Sequence, residues 1–430
     1  MGGGVFSQGP DPLVTPRMPP SIYQSMSRQC KERLRQLFLC VASPIEAPSK
    51  SDYGDLDIFV AWPIRPGSET GPMSSDAKAS PLAQQTEAIR LVLGAERYKI
   101  NSNIAHFAIP WPDQPGPVNG GTIDEPPPKS YVQVDVTIAK SLEEMQWFLF
   151  KHAHGDIWSL LGSIIRPYGL TIDELCLSIR IPEMEKTNRK LSRIPLTSEP
   201  TEVLSFLGLP VQGFWEHPFS SVDEMFEYVA QCRMFRVSPA DAGRPGEERL
   251  DPDLDMKADD RKRTKTRPIF GSWMTTFVPR CRLEGRFGAP RTSRDEVKHE
   301  ALELFRVSNE YQRRLDQHVR EQQTLFIKQD IIKTMFPALN LATSTQRALQ
   351  YRGCLVKALA RIVLDDDATY GVLPDPAYPL KNDRGIFDLE HVRRFIDLNH
   401  ETVGAAAMEL HHQAFLGRKR LMAPEQGREG

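Results

Sequence analysis

The sequence predicts an α/β fold: a small mixed sheet flanked by helices, followed by a mainly α-helical C-terminal region. Three observations predict it. Two runs, Asp55-Leu56-Asp57-Ile58-Phe59-Val60 and Tyr131-Val132-Gln133-Val134-Asp135-Val136-Thr137-Ile138, alternate with the period of a strand. The segments around them carry apolar residues at helical spacing. Beyond about residue 291 the pattern is helical almost throughout.

Residues 1–20 are rich in Gly, Pro and Ser with almost nothing to bury, and predict a disordered N-terminus. Met26, Cys30, Leu34 and Leu37/Phe38 then recur at helical spacing, predicting a helix over roughly 21–39. A turn-rich stretch leads into the first strand. Its alternation puts Leu56, Ile58 and Val60 on one face and Asp55 with Asp57 on the other. After a polar loop at 63–80, residues 81–93 read as a helix and 98–109 as a strand. A second Pro/Gly loop covers 110–130. In the strand at 131–138, Val132, Val134, Val136 and Ile138 point to the core and Asp135 to the opposite face. Helical stripes follow, Leu142/Met145/Leu149 and Ile157/Leu160/Leu161/Ile164/Ile165, the latter read as core. Ser221 and Glu224 form a capping box opening another helix. A charged linker occupies 237–290, and a long polar helix is expected near 292–323.

Bulk composition excludes several classes. With 40% hydrophobic and 26% charged residues and a net charge of -2, overall charge names no partner, so any nucleic-acid contact must come from a local patch. No apolar run is long enough to span a bilayer. The N-terminus lacks the basic start and apolar stretch of a signal peptide, and Phe6 stands where a myristoylation signal needs Ser or Thr. The six cysteines have no Cys-x-x-Cys pair, which points to reduced thiols and an intracellular protein of cytoplasm or nucleus. The close histidines, His152/His154 and His411/His412, fit solvated side chains better than a metal site.

The acids carry the chemistry. Carboxylates at i and i+2 on a strand point the same way and repel at short range in a low dielectric. A fold tolerates such a pair when it is solvated or when a cation sits between them; the alternative is an exposed edge strand with Asp135 unrelated. If the two strands pair, Asp55, Asp57 and Asp135 meet at one point and offer oxygen ligands suited to Mg²⁺ or Mn²⁺ rather than zinc. Such a site can hold two metals that clamp the attacking and leaving oxygens of an in-line phosphoryl displacement.

The order of elements adds to this. A helix, a small-residue turn containing Ala42-Ser43, the Asp55-x-Asp57 strand, a helix, a strand and a strand bearing Asp135 resembles the DNA polymerase β-like nucleotidyltransferase superfamily, in its family-X-like and phage or fungal members. Ser49-Lys50-Ser51-Asp52-Tyr53-Gly54 is similar to that family's polar approach to Asp-x-Asp. Segments 150–170, 202–209 and 219–228 look like the helical part that follows its palm, so the resemblance covers roughly 35–236, with a weaker echo at 261–277. It implies a nucleotidyltransferase fold with a palm-like catalytic domain at 21–140, a helical domain at 141–236 completing the core, the linker at 237–290 and a helical region at 291–430. It also implies transfer of a nucleoside monophosphate from an NTP to a hydroxyl acceptor. Asp55 and Asp57 would bind both metals, and Asp135 would complete the catalytic metal site and help deprotonate the acceptor. Ser43 would hold the triphosphate with nearby backbone N–H groups, and Lys50 is a further phosphate contact. One departure stands out: where the family has Gly, this chain has Ala42, followed by Pro44. Gly lets backbone approach a triphosphate closely, and Ala with Pro restricts that. The resulting alternative is a catalytically inactive nucleotidyltransferase-like binding or scaffold protein.

The densest positive run is Arg261-Lys262-Arg263-Thr264-Lys265-Thr266-Arg267, with Phe270, Trp273 and Phe277 interleaved downstream. Charge for phosphates and rings for stacking point to nucleic acid as a partner. A solvated linker whose rings anchor the next helix accounts for the same residues.

Overall fold

The computed structural model describes residues 3–64, 81–112, 129–237, 258–342 and 344–421. The chain divides into two units. The first comprises residues 1–180 and 193–306, the second residues 181–192 and 307–430. Among the described residues no helix is long and apolar enough to cross a membrane.

The first unit is built on a five-stranded mixed sheet. Helix α1 (Pro20–Leu34) leads into β1 (Phe38–Ala42) and β2 (Leu56–Pro63). Helix α2 (Pro81–Leu93) is followed by β3 (Arg97–Asn101), β4 (Ile104–Pro110) and β5 (Tyr131–Ile138). The strand order is β1-β2-β5-β4-β3. The β2–β5 pair is parallel and the other three pairs are antiparallel. Alternation sorts the two faces. Leu56, Ile58, Val60, Val132, Val134, Val136 and Phe107 are all essentially buried, packed with Met26, Cys30 and Leu34 of α1 and Ile89 and Leu93 of α2. The opposite face carries the acids.

Helices α3 (Leu142–His152) and α4 (Ile157–Ile165) come next, then a second sheet of β6 (Leu170–Ile172), β7 (Leu177–Arg180) and β8 (Arg193–Thr197). Between β7 and β8 the short α5 (Pro182–Glu185) belongs to the second unit. The first unit continues with α6 (Pro200–Leu207), α7 (Val222–Ala230), α8 (Ala258–Thr266), α9 (Pro268–Ser272), a π-helical turn at Trp273–Phe277, α10 (Val278–Leu283) and α11 (Arg294–Leu304).

The second unit is helical. Helix α12 (Ser308–Phe326) runs through a π-helical segment, Ile327–Ile332, into α13 (Lys333–Met335) and is followed by α14 (Gln346–Asp365) and α15 (Leu389–Leu421). Ile327, Ile331, Leu355, Leu359, Ile362, Val392, Ile396 and Val403 make its core. Helix α5 packs on α12 within this unit, where Arg314 donates to the Leu191 carbonyl at 3.4 Å.

Several expectations are corrected. Residues 3–18 are not disordered: Phe6 and Met18 are buried, Met18 bridges Tyr53 and Val14 bridges Ser130. Residues 1 and 2 lie outside the described residues. The helix expected to reach 39 ends at Leu34, because the Phe38–Ala42 run pairs with β2 as an edge strand. The strand expected over 98–109 is a hairpin, turned at Ser102 in the left-handed region with φ 60°. The segment 141–236 includes the three-stranded sheet as well as helices. Of the expected linker, 238–257 lies outside the described residues, while 258–283 is folded into the first unit with Phe270, Trp273, Phe277 and Cys281 buried. The boundary between units falls after Arg306 rather than at 290, and the long polar helix breaks there into α11 and α12, with Arg306 at φ 54°.

Candidate active site

The acid patch is assembled by strand register. On β2 and β5, Asp57 is the ladder partner of Asp135, with Leu56 opposite Val134 and Ile58 opposite Val136. Neighbouring strands lie about 4.8 Å apart, so the two aspartates leave adjacent backbones on one face. Asp55 precedes the strand by one residue and shares the face of Asp57. One strand further, His106 on β4 is the antiparallel partner of Asp135, and its Nδ1 lies 2.8 Å from Asp135 Oδ1. The pair is within ion-pair distance and becomes one of opposite charges when the imidazole is protonated. Gln133 shares the face and donates its Nε2 to both Asp135 oxygens, at 3.0 and 3.2 Å.

Electrostatics at the patch are those of crowded anions. Burial, followed by Asp55, Asp135 and Glu46, pushes the Asp57 carboxyl up to about 7; Lys50 opposes it. Asp55 is raised too, by burial and then Asp135, while Lys50 and the Gly3 backbone N–H lower it. His106 is raised by its contact with Asp135 first, against the pull of burial. The donor set is oxygen-rich, the ligand chemistry of hard divalent cations. Yet among the described residues no group of three or more His, Cys, Asp or Glu side chains is drawn together closely enough to hold a metal ion. The backbone brings the three aspartates to one patch, but the Asp135 carboxylate is engaged by Gln133 and His106.

Asp55 and Asp57 open onto a cleft of about 660 Å³ whose walls also hold Tyr23, Glu46 and Lys50. The walls carry four cations from other elements as well: Lys151, Arg166, Arg263 and Arg267. These are partly balanced. Arg267 pairs closely with Asp156, Arg263 Nη1 lies 3.2 Å from Asp260, and Arg166 lies 3.7 Å from the same carboxylate. Burial lowers the Lys151 ammonium, while Glu174 and Asp173 oppose that shift. The cleft therefore places an acidic set beside a basic one. A larger cavity, about 1230 Å³, lies between α14 and α15 in the second unit; it holds none of the predicted site residues.

The other predicted residues fall as follows. Lys50 lines the cleft, with Nζ 2.9 Å from Glu46 Oε2 and 4.5 Å above the Tyr53 ring. Ser43 does not line it: its Oγ is buried with no hydrogen-bond partner among the described residues. Pro44 and Ile45 are on the wall instead, and Ile45 accepts from His154 N–H at 2.7 Å. Of the basic run, Arg263 and Arg267 face the cleft, and Arg261, Lys262 and Lys265 are exposed on or beside α8. The rings expected to stack on bases do not. Phe270, Trp273 and Phe277 are buried, Trp273 stacking on Phe277 at 4.8 Å beside Phe226 and Phe235. His154, expected to be solvated, is fully buried with Nε2 2.7 Å from the Phe214 carbonyl. All six cysteines are free.

Sequence reasoning missed His106, Gln133, Glu46, Lys151 and Arg166. His106 had a signal: it stands mid-strand at the alternation that the β4–β5 register aligns with Asp135. The cations had none, since the cleft gathers them from separate helices.

No family model matches the chain, and no curated protein is similar to it. Among solved structures, the chain is similar to a Leishmania infantum polymerase beta crystallised as a ternary P/T complex, with 12% identity, a TM-score of 0.31 and coverage of 48% of this chain and 78% of that one. A ternary gap complex of polymerase beta from the same organism matches at 11% identity and a TM-score of 0.30, covering 47% of this chain and 71% of that one. At these scores the likeness is too slight to define a fold or an activity.

Proposed function

We propose that the chain is a divalent-metal-dependent nucleotidyltransferase that moves a nucleoside monophosphate from an NTP to a hydroxyl acceptor, with nucleic acid as the acceptor class. The observation that supports it best is the cleft that sets Asp55 and Asp57 beside Lys151, Arg166, Arg263 and Arg267, with Asp135 in register alongside Asp57. In this reading Asp55 and Asp57 would hold Mg²⁺ or Mn²⁺, and Asp135 would join them. The bound cation would neutralise charge developing on the transferred phosphoryl group and on its attacking and leaving oxygens. The chain's own residues do the rest. The cationic wall takes the triphosphate, orienting it and stabilising the departing pyrophosphate. Asp135, backed by His106, accepts the proton of the acceptor hydroxyl. Arg261, Lys262 and Lys265 offer sequence-independent phosphate contacts to a nucleic-acid acceptor.

The test is label transfer from each NTP, with Mg²⁺ or Mn²⁺, to pooled RNA, DNA and protein acceptors. Transfer that disappears in folded Asp57→Asn supports the proposal; no transfer to any acceptor by folded protein counts against it. A second reading, a nucleotidyltransferase-like scaffold without activity, is motivated by the burial of Ser43 Oγ away from the cleft next to Ala42 and Pro44. Calorimetry separates the two, because a scaffold shows no metal-coupled nucleotide binding that Asp55→Ala abolishes.

A further inference from the structure

The acid face of the five-stranded sheet is crossed by the chain's own N-terminal arm, and we infer that residues 3–15 form an autoinhibitory strap that must lift before Asp135 can join Asp55 and Asp57. The inference rests on the nucleotidyltransferase reading and concerns the regulation of the same site.

The strap lies beside Asp55 and reaches Asp135 through Gln133. Gly3 lies against the Gly54 carbonyl, next to Asp55, where its backbone N–H favours the charged form of that carboxylate. Val5 donates its N–H to Gln133 Oε1 at 3.1 Å, and Gln133, buried to 1% exposure, gives its Nε2 to both oxygens of Asp135. Gln133 thus links the strap to Asp135: Val5 holds its carbonyl end, while its amide end, together with His106, occupies the Asp135 carboxylate. Asp135 accordingly is not among the cleft walls that hold Asp55 and Asp57.

The strap's anchorage is real but narrow. Phe6 is buried against Ala108 and Tyr131, with Val5 and Leu13 beside it. Ala108 is the ladder partner of Gln133, so the anchor lies on the acid face itself. Lys99 Nζ bonds the Val5 carbonyl at 2.7 Å, Thr15 Oγ1 bonds the Gly3 carbonyl at 2.7 Å, and Leu13 N–H bonds the Phe6 carbonyl at 2.9 Å. Residues 7–12 between these points are exposed. The remaining ties are a close Arg97–Asp11 ion pair, an Arg97 bond to the Asp11 carbonyl and the Val14–Ser130 bridge, all to the periphery of the sheet, so the arm can lift without the sheet unfolding. Closure is also finely fitted at its start. Gly3 has φ 86°, and a Cβ there would run into the Gly54 carbonyl, beside Asp55.

If the strap competes with assembly of the three acids, cation binding and strap release are reciprocally linked. The test uses the full chain and two variants that leave every acid in place: Gly3→Ala, which the closed strap cannot accommodate, and Phe6→Ser, which removes its anchor. Mn²⁺ binding is measured by electron paramagnetic resonance, and proteolytic nicking within residues 7–12 is followed with and without Mn²⁺. The expected result is binding about tenfold tighter in both variants than in the parent, and faster nicking of the parent when Mn²⁺ is added. Circular dichroism verifies that each variant is folded, and the milder Gly3→Ala decides the matter if Phe6→Ser is not. Equal Mn²⁺ affinity in the parent and the folded variants overturns the strap while leaving the metal site standing. No Mn²⁺ bound by any of the chains overturns the metal site and the strap with it.

Discussion

Asp57 on β2 stands directly opposite Asp135 on β5, and the two carboxylates leave one face of the sheet from neighbouring parallel strands. Their proximity has a cost that depends on protonation, and the cost is measurable.

Asp57 is raised to about 7, first by burial and then by Asp55, Asp135 and Glu46. A carboxyl raised in the folded state holds its proton more tightly there than in the unfolded chain. Its contribution to stability is therefore complete below the unfolded pKa near 4 and is lost as pH rises through about 7. In EDTA, Asp57→Asn is expected to be more stable than the parent at pH 8 by on the order of 1–2 kcal/mol, discounted for partial exposure, and equal to it near pH 4. Urea midpoints at the two pH values check this; a difference independent of pH would mean that the Asp57 carboxyl is not raised in the folded state.

Activity is expected to follow the same residues. Asp55→Asn and Asp57→Asn should each lower nucleotidyl transfer by at least about 10²–10³-fold with folding intact. Rates against NTP concentration at fixed Mg²⁺ measure the loss, and a variant within a factor of a few of the parent removes that residue from the mechanism.

The basic residues divide by position. Lys151→Ala and Arg267→Ala, on the cleft wall, are expected to weaken nucleotide binding about tenfold, the loss of one charge-assisted contact. Lys262→Ala and Lys265→Ala, exposed on α8, should leave nucleotide affinity unchanged. Each should instead reduce the slope of log affinity against log salt for nucleic acid by about 0.7–0.9. Fluorescence titrations at several salt concentrations distinguish the two groups.

Trp273 is expected to behave as a core residue. It is 2% exposed and packs with Phe226, Phe235 and Phe277. Trp273→Ala should cost about 3–5 kcal/mol in stability. At temperatures where the variant is still folded, nucleic-acid affinity should match the parent's. A stable variant with selectively weakened binding would restore the ring to the interface.

Gly155 tests the wall around Ile45. Its φ is 63°, and a Cβ would sit 2.6 Å from the Ala47 Cβ. Gly155→Ala is expected to cost on the order of 1–3 kcal/mol and to raise the KM for NTP, since Pro44 and Ile45 line the cleft. A thermal melt and a KM measurement check the two effects together.

What the sequence made legible depended on length and regularity. β5 runs from Tyr131 to Ile138 as its alternation predicts, and α2 spans Pro81–Leu93 as expected. β1 was hidden because Leu37 and Phe38 continue the helical spacing of α1, and only pairing with β2 decides otherwise. β6, at 3 residues, is too short to show a period. The N-terminal arm escaped because its order comes from Ala108 and Tyr131, far along the chain, rather than from its own composition. The rings of 270–277 illustrate the same limit: basic flanks suggested an exposed surface, while burial was set by α7 and the segment after it.

The excursion of residues 181–192 out of the first unit, between β7 and β8, has a practical consequence for anyone dissecting the protein. No single cut separates the two units. A fragment stopping at Arg306 keeps α5 but discards the α12 surface on which it packs, and a fragment beginning at Val307 lacks α5 altogether. Independent expression of the second unit calls for splicing residues 181–192 back onto it, and that of the first for replacing those residues by a short turn joining Arg180 to Arg193.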